Sequence, residues 1–128
     1  MTTLETGPRG AALLAAMRRG VADLASAGFD LVVDDVWLDG EPADYATLLA
    51  GFHVWRVGVT APLAVLEARE AARCDRSPGL SRAQLDRVHS GIRYDLMLDM
   101  ARLSPDAAAR QVMALAGIPA LDRGATLA

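Results

Sequence analysis

Three short runs rich in β-branched and aliphatic residues are separated by stretches of helical periodicity, and this alternation limits the folds open to the chain. The runs are FDLVVDDV at 29–36, HVWRVGV at 53–59 and DLMLD at 95–99. A continuous apolar stretch such as Leu31-Val32-Val33 fits a strand buried on both faces, the pattern of helix-covered parallel sheets. Between the runs the period changes. From Arg9 to Ala27 the apolar positions Leu13, Leu14, Met17, Val21 and Leu24 follow a helix, and Gly28 ends it. Pro42 suits the first turn of a short helix carrying Tyr45, Leu48 and Leu49, closed by Gly51. Pro62 opens a helix through Glu67 and Arg69 toward Arg76, broken by Ser77-Pro78-Gly79. Ser81 and Gln84 have capping-box spacing ahead of an apolar stripe of Leu85, Val88 and Ile92. Ser104-Pro105 begins a last helix, and Gly117 and Pro119 stop it. The alternation predicts one domain over 1–128, of α/β class, with three layers and a mainly parallel sheet flanked by helices.

Composition narrows the chemistry. Aromatic residues are only 5% of the chain, so its core is aliphatic. The net charge of −3 leaves no electrostatic footprint for nucleic acid. Every one of the 13 basic residues is an arginine, which excludes a phosphate-binding lysine, a Schiff-base lysine or a lysine general base. Cys74 is the single cysteine and has no internal disulfide partner. There is no membrane-length apolar run, and the first residues lack a signal-peptide core, so a cytoplasmic protein is expected. No group of residues has metal-ligand spacing.

Three clusters carry candidate chemistry. Asp34-Asp35 closes the first run, and ligands of open parallel sheets bind beyond the carboxyl ends of strands. Two carboxylates there suit a hydrated Mg²⁺ or the orientation of a hydroxyl. The pattern fits a strand-end turn with solvated acids as well. Arg69 and Arg73 share one helix face, and Arg76 follows just before the breaker. Such a segment suits a mobile lid bringing guanidinium groups to phosphates, or simply a solvated helix face. His89, Tyr94 and Asp95 fall between a helix and a strand, where polar side chains line a cleft or cap the helix.

Together LVVDDVWL, HVWRVGVTAPLAVLEAREAARCDRSPGL and VHSGIRYDLMLD resemble chloramphenicol phosphotransferase and its relatives, from about Gly7 to Ile118. The resemblance implies a P-loop kinase-like fold and transfer of the ATP γ-phosphate to a small-molecule hydroxyl, chloramphenicol in the enzyme that names the family. It places Asp34 and Asp35 beside the Mg-nucleotide and acceptor as the catalytic pair, and Arg69, Arg73 and Arg76 in the phosphate-facing lid. His89, Tyr94 and Asp95 carry over only as cleft residues. The family's opening strand and G-x-x-x-x-G-K-S/T loop have no counterpart in these 128 residues. Gly7-Pro8-Arg9-Gly10 has the wrong spacing and no lysine. On this resemblance the chain is a truncated kinase-like domain, starting about where the family's third helix does. A truncated gene, a start codon set too far downstream and a degenerate paralogue all fit. The phosphate-binding strand would lie between 29–36 and 53–59. Without it these two strands must pair directly, a second copy or an additional N-terminal segment must complete the sheet, or the chain is marginal. The expected function is thus an ATP- and Mg²⁺-dependent phosphotransferase, incomplete or inactive as this chain, with neither cofactor held tightly. The alternative is a non-catalytic small-molecule-binding or protein-interaction domain derived from such a kinase.

Overall fold

A computed structural model gives the architecture, and it describes residues 6–75 and 77–119. The order is α1 (Pro8–Ser26), α2 (Ala43–Leu48), β1 (Val57–Thr60), α3 (Leu63–Ala71), α4 (Leu80–Val88), β2 (Leu96–Asp99) and α5 (Pro105–Ala116). The class is α/β, as the alternating periodicity predicts. β1 and β2 pair in parallel, Val57 opposite Leu96 through Thr60 opposite Asp99. The helical connection between them is what a parallel pair requires.

The first apolar run departs from expectation. Residues 29–37 form no strand, and the sheet among the described residues has two strands, not three. Leu31 and Val33 are partly exposed and Val32 is 99% exposed. A strand is defined by its hydrogen-bonded neighbour, and composition supplies none. β1 pairs with β2 alone, so the direct pairing of 29–36 with the second run does not occur.

The second run is shifted. The strand begins at Val57, four residues after His53, because of what faces it. Asp95 donates its backbone N–H to Arg56 O at 2.8 Å, while its carboxylate accepts from Arg56 N at 2.7 Å. That side-chain bond ends the ladder one residue before β1. His53 and Trp55, outside the strand, stack with ring centroids 4.2 Å apart.

The helices follow their punctuation. Ser104 caps α5 by accepting from Ala107 N at 3.2 Å, with Pro105 in the first turn, and Gly117 closes the helix at φ 68°. Gly28 lies just past α1 at φ 90°. The predicted capping box of α4 does not form. The cap position is Gly79 at φ 87°, with no side-chain cap of its own.

Packing is local. α1 lies on α2, α3 on α4, and α5 on β2. Among the described residues the buried apolar ones are Ala22, Tyr45, Ala61, Leu98 and Ala108. Several aliphatic side chains that periodicity marks as core are exposed instead, including Leu13, Met17 and Leu24 of α1.

Candidate functional site

The carboxyl end of the sheet is built from β1, β2 and one arginine of α3. Beyond the strands, Met100 N donates to Thr60 O at 2.8 Å, which continues the ladder into the turn. Asp99 folds back to accept from Ala101 N at 2.9 Å. Arg69 donates from Nη2 to Met100 O at 2.8 Å. One of the expected lid arginines therefore stands at the strand ends where open parallel sheets bind ligands. Its partner is a neutral carbonyl, so its positive charge is not neutralised by that contact.

Residues 72–75 and 77–79, between α3 and α4, are exposed. Arg73 pairs with Asp75 at 3.2 Å, both well exposed. Arg76 lies outside the described residues. The loop is closed by Glu70, which the sequence reading passes over. Its carboxylate accepts from Gly79 N at 2.5 Å and from Ser81 N at 2.6 Å. Hydrogen bonding from the Ser81 side chain first, and then from the Ser81 and Gly79 backbone N–H groups, holds the Glu70 carboxyl below its ordinary value. No sequence signal announces this cap, because it comes from the preceding helix and not from the capping-box positions.

His89, Tyr94 and Asp95 stand at the other end of the sheet. The Tyr94 hydroxyl and His89 Nδ1 are 2.8 Å apart, with the rings edge to face. Burial raises the Tyr94 hydroxyl above its ordinary value. Asp95 accepts from the backbone ahead of β1. Beside it Glu41 takes both Nε and Nη2 of Arg56, at 3.0 and 2.8 Å, which raises the guanidinium further. These residues precede the strands and Arg69 follows them, so the cleft and lid candidates are split between the two ends of β1 and β2.

Asp34 and Asp35 stand apart from both groups in what surrounds them. Asp34 is exposed. Asp35 accepts from Val36 N at 2.8 Å through Oδ1 and from Trp37 Nε1 at 3.0 Å through Oδ2. Trp37 leans on Tyr45 at a centroid distance of 5.7 Å. Tyr45 is 2% exposed, and Arg18 of α1 lies over its ring at 5.6 Å while pairing with Asp44 at 3.2 Å. Burial, followed by the negative charge of Asp35, raises the Tyr45 hydroxyl above its ordinary value. Among the described residues, neither that hydroxyl nor Arg18 Nε has a hydrogen-bond partner. Nothing local in the sequence links Arg18 to Tyr45, since they meet only when α1 lies on α2. Tyr45 also lines an open cleft of about 440 Å³, with Leu49, Phe52, His53, Val54 and Arg56.

An α/β chain with an arginine at the carboxyl end of a parallel strand pair belongs to a broad class. The sequence places it within that class. Residues 1–116 match the family model of chloramphenicol phosphotransferase-like protein, and the chain belongs to that family. Neither curated proteins nor solved structures give a match.

As placed, the side chains do not fit Mg-ATP. Both Asp35 oxygens are engaged by its own segment, and Asp75 is bound to Arg73. Among the described residues no three His, Cys, Asp or Glu side chains converge. Nor is any helix among them long and apolar enough to cross a membrane.

Proposed function

We propose that the chain is the acceptor- and lid-bearing part of a small-molecule hydroxyl kinase, and that these 128 residues alone do not transfer phosphate. The observation that carries the reading is Arg69 at the carboxyl end of β2, next to an exposed loop bearing Arg73, in a chain matched over 1–116 by a phosphotransferase-like family. Arg69, Arg73 and Arg76 supply charge toward a transferred phosphoryl group, and Asp34 and Asp35 orient the acceptor. Positioning of the phosphates is another matter. A glycine-rich loop with a lysine normally provides it, and the sequence has neither that loop nor any lysine. Good orientation contributes roughly 7–11 kcal/mol, more than arginines in an exposed loop supply.

The purified 128-residue polypeptide is expected to show no ATP-dependent phosphorylation of chloramphenicol or related hydroxyl compounds, and no tight Mg-ATP binding by calorimetry. Extension by an upstream phosphate-binding segment, where the gene encodes one, is expected to restore both. Turnover by the short polypeptide that Asp35→Ala abolishes would refute the reading. The cleft beside Tyr45 favours a second reading, a small-molecule-binding domain without catalysis. Binding of an acceptor that Tyr45→Ala weakens and that never leads to phosphorylation, even in the extended protein, would select it.

A further inference from the structure

We propose that Glu70 is a positioning residue, the clasp that ties the end of α3 to the start of α4 across the arginine-bearing loop, whose described residues are 72–75 and 77–79. The geometry is specific. Glu70 sits in the last turn of α3, and its two oxygens divide between two backbone donors at the start of α4, Gly79 N at 2.5 Å and Ser81 N at 2.6 Å. The first-turn N–H groups of a helix need acceptors, and α4 has no cap from its own cap residue. One carboxylate thus serves as the missing cap and as the tie across the loop. Charge-assisted bonds of this kind are short and about twice as strong as neutral ones.

The backbone at the end of the loop suits a hinge. Gly79 holds φ 87°, open to glycine and strained for other residues, with free space where a Cβ would point. The second tie between the helices, Arg82 to Glu67 at 2.8 Å, lies outside the loop and survives its opening. The Arg73–Asp75 pair lies within the loop. The charged groups on the surrounding elements are Glu67 and Arg69 on α3, Arg73 and Asp75 in the loop, and Arg82, Asp86 and Arg87 on α4. The proposal stands whether or not the loop meets a phosphate, so its failure and that of the kinase reading are distinct.

The test uses the full chain and needs no variant for its first arm. Amide resonances of Gly79 and Ser81 are expected to shift together on acidification, with one midpoint below the ordinary glutamate value of 4.5. Glu70→Gln, which keeps the shape and one acceptor oxygen, is expected to abolish that titration. It is also expected to raise exchange at Gly79 and Ser81 about tenfold, with α1 and α5 unchanged, the mark of local and not global opening. Trypsin cleavage after Arg73 is expected to accelerate in parallel. Amides of Gly79 and Ser81 that do not titrate in the wild-type chain would overturn the proposal. So would equal exchange in the two proteins, or a loss of protection in Glu70→Gln spread over all helices.

Discussion

Gly58 shows how narrowly one residue fixes the strand pair. A Cβ built there meets Met97 Sδ at 2.6 Å, Met97 Cε at 2.8 Å and Tyr94 Cδ1 at 3.1 Å. Its φ is ordinary, so contact and not backbone strain requires the glycine. Two of the three obstacles are the flexible end of a methionine, which swings aside at modest cost. The third is an aromatic ring tied through its hydroxyl to His89. Gly58→Ala is therefore expected to cost about 1–3 kcal/mol by urea unfolding, the range for overfilling a packed site. Combined with Met97→Ala, it is expected to cost less than the sum of the two single changes, because the second removes the first one's main clash. Additive costs would show that Met97 does not bound the site.

At the scale of elements, α5 is the best-defined. Ser104 accepts from Ala107 N, Pro105 fits the first turn, Asp106 places negative charge at the positive end of the helix dipole, and Gly117 ends it. Ser104→Ala is expected to cost about 1 kcal/mol in denaturant unfolding. No change would mean that water replaces the cap without loss. The same punctuation made α1 and α5 legible in the sequence, because caps and breakers act within a few residues. Strands depend on distant partners. The run 95–99 matched β2 almost residue for residue, since β1 lies beside it. The run 29–36 has an equally strand-like pattern and no neighbour, and it stays irregular. β1 starts late because the Asp95 side chain, 39 residues away, replaces a ladder bond. The candidate site was legible in the same partial way. The arginine segment stands out by spacing, and the His89–Tyr94 pair forms as a contact. That these two lie at opposite ends of the strands follows from the β2 boundary, which spacing does not give. Glu70 escaped because its partners are backbone groups nine and eleven residues on.

At the scale of the whole molecule, two exposed carboxylates among the described residues contribute to the acid response. Asp39 lies below its ordinary value of 3.8, first through its hydrogen bond to Arg87. Glu70 lies below 4.5 through its bonds to Ser81 and Gly79. A carboxyl lowered by folding adds stability that is complete above its unfolded value and is lost as pH falls through the lowered one. The urea midpoint is therefore expected to be flat from about pH 7 to 5 with respect to these groups and to decline below about 4. Asp39→Asn should flatten part of that decline. Tyr45 and Tyr94 act in the opposite direction. Raised above 10.0, they favour the folded state at lower pH, and their contribution is lost as pH rises past that value. A midpoint that keeps falling between pH 7 and 5 would require another titrating group.

The apolar surface gives the largest consequence. Leu13, Met17 and Leu24 share one face of α1 and are all exposed, and so are Phe29, Leu31, Val32, Val33 and Val36 in the segment that follows. Soluble monomers rarely leave apolar side chains uncovered in such numbers. The five buried apolar residues among those described make only a small core. The 128-residue polypeptide alone is therefore expected to bind a hydrophobic dye at neutral pH and to sediment with a concentration-dependent mass. Val32→Asp and Leu13→Glu are expected to reduce both signals. Their effect on unfolding midpoints should stay within about 0.5 kcal/mol, because these side chains have little packing to lose. A chain that binds no dye and sediments as one monomer across a hundredfold range of concentration would show that this surface is covered in solution by the chain itself. Destabilisation by Val32→Asp well above that limit would place 29–36 in a packed strand after all.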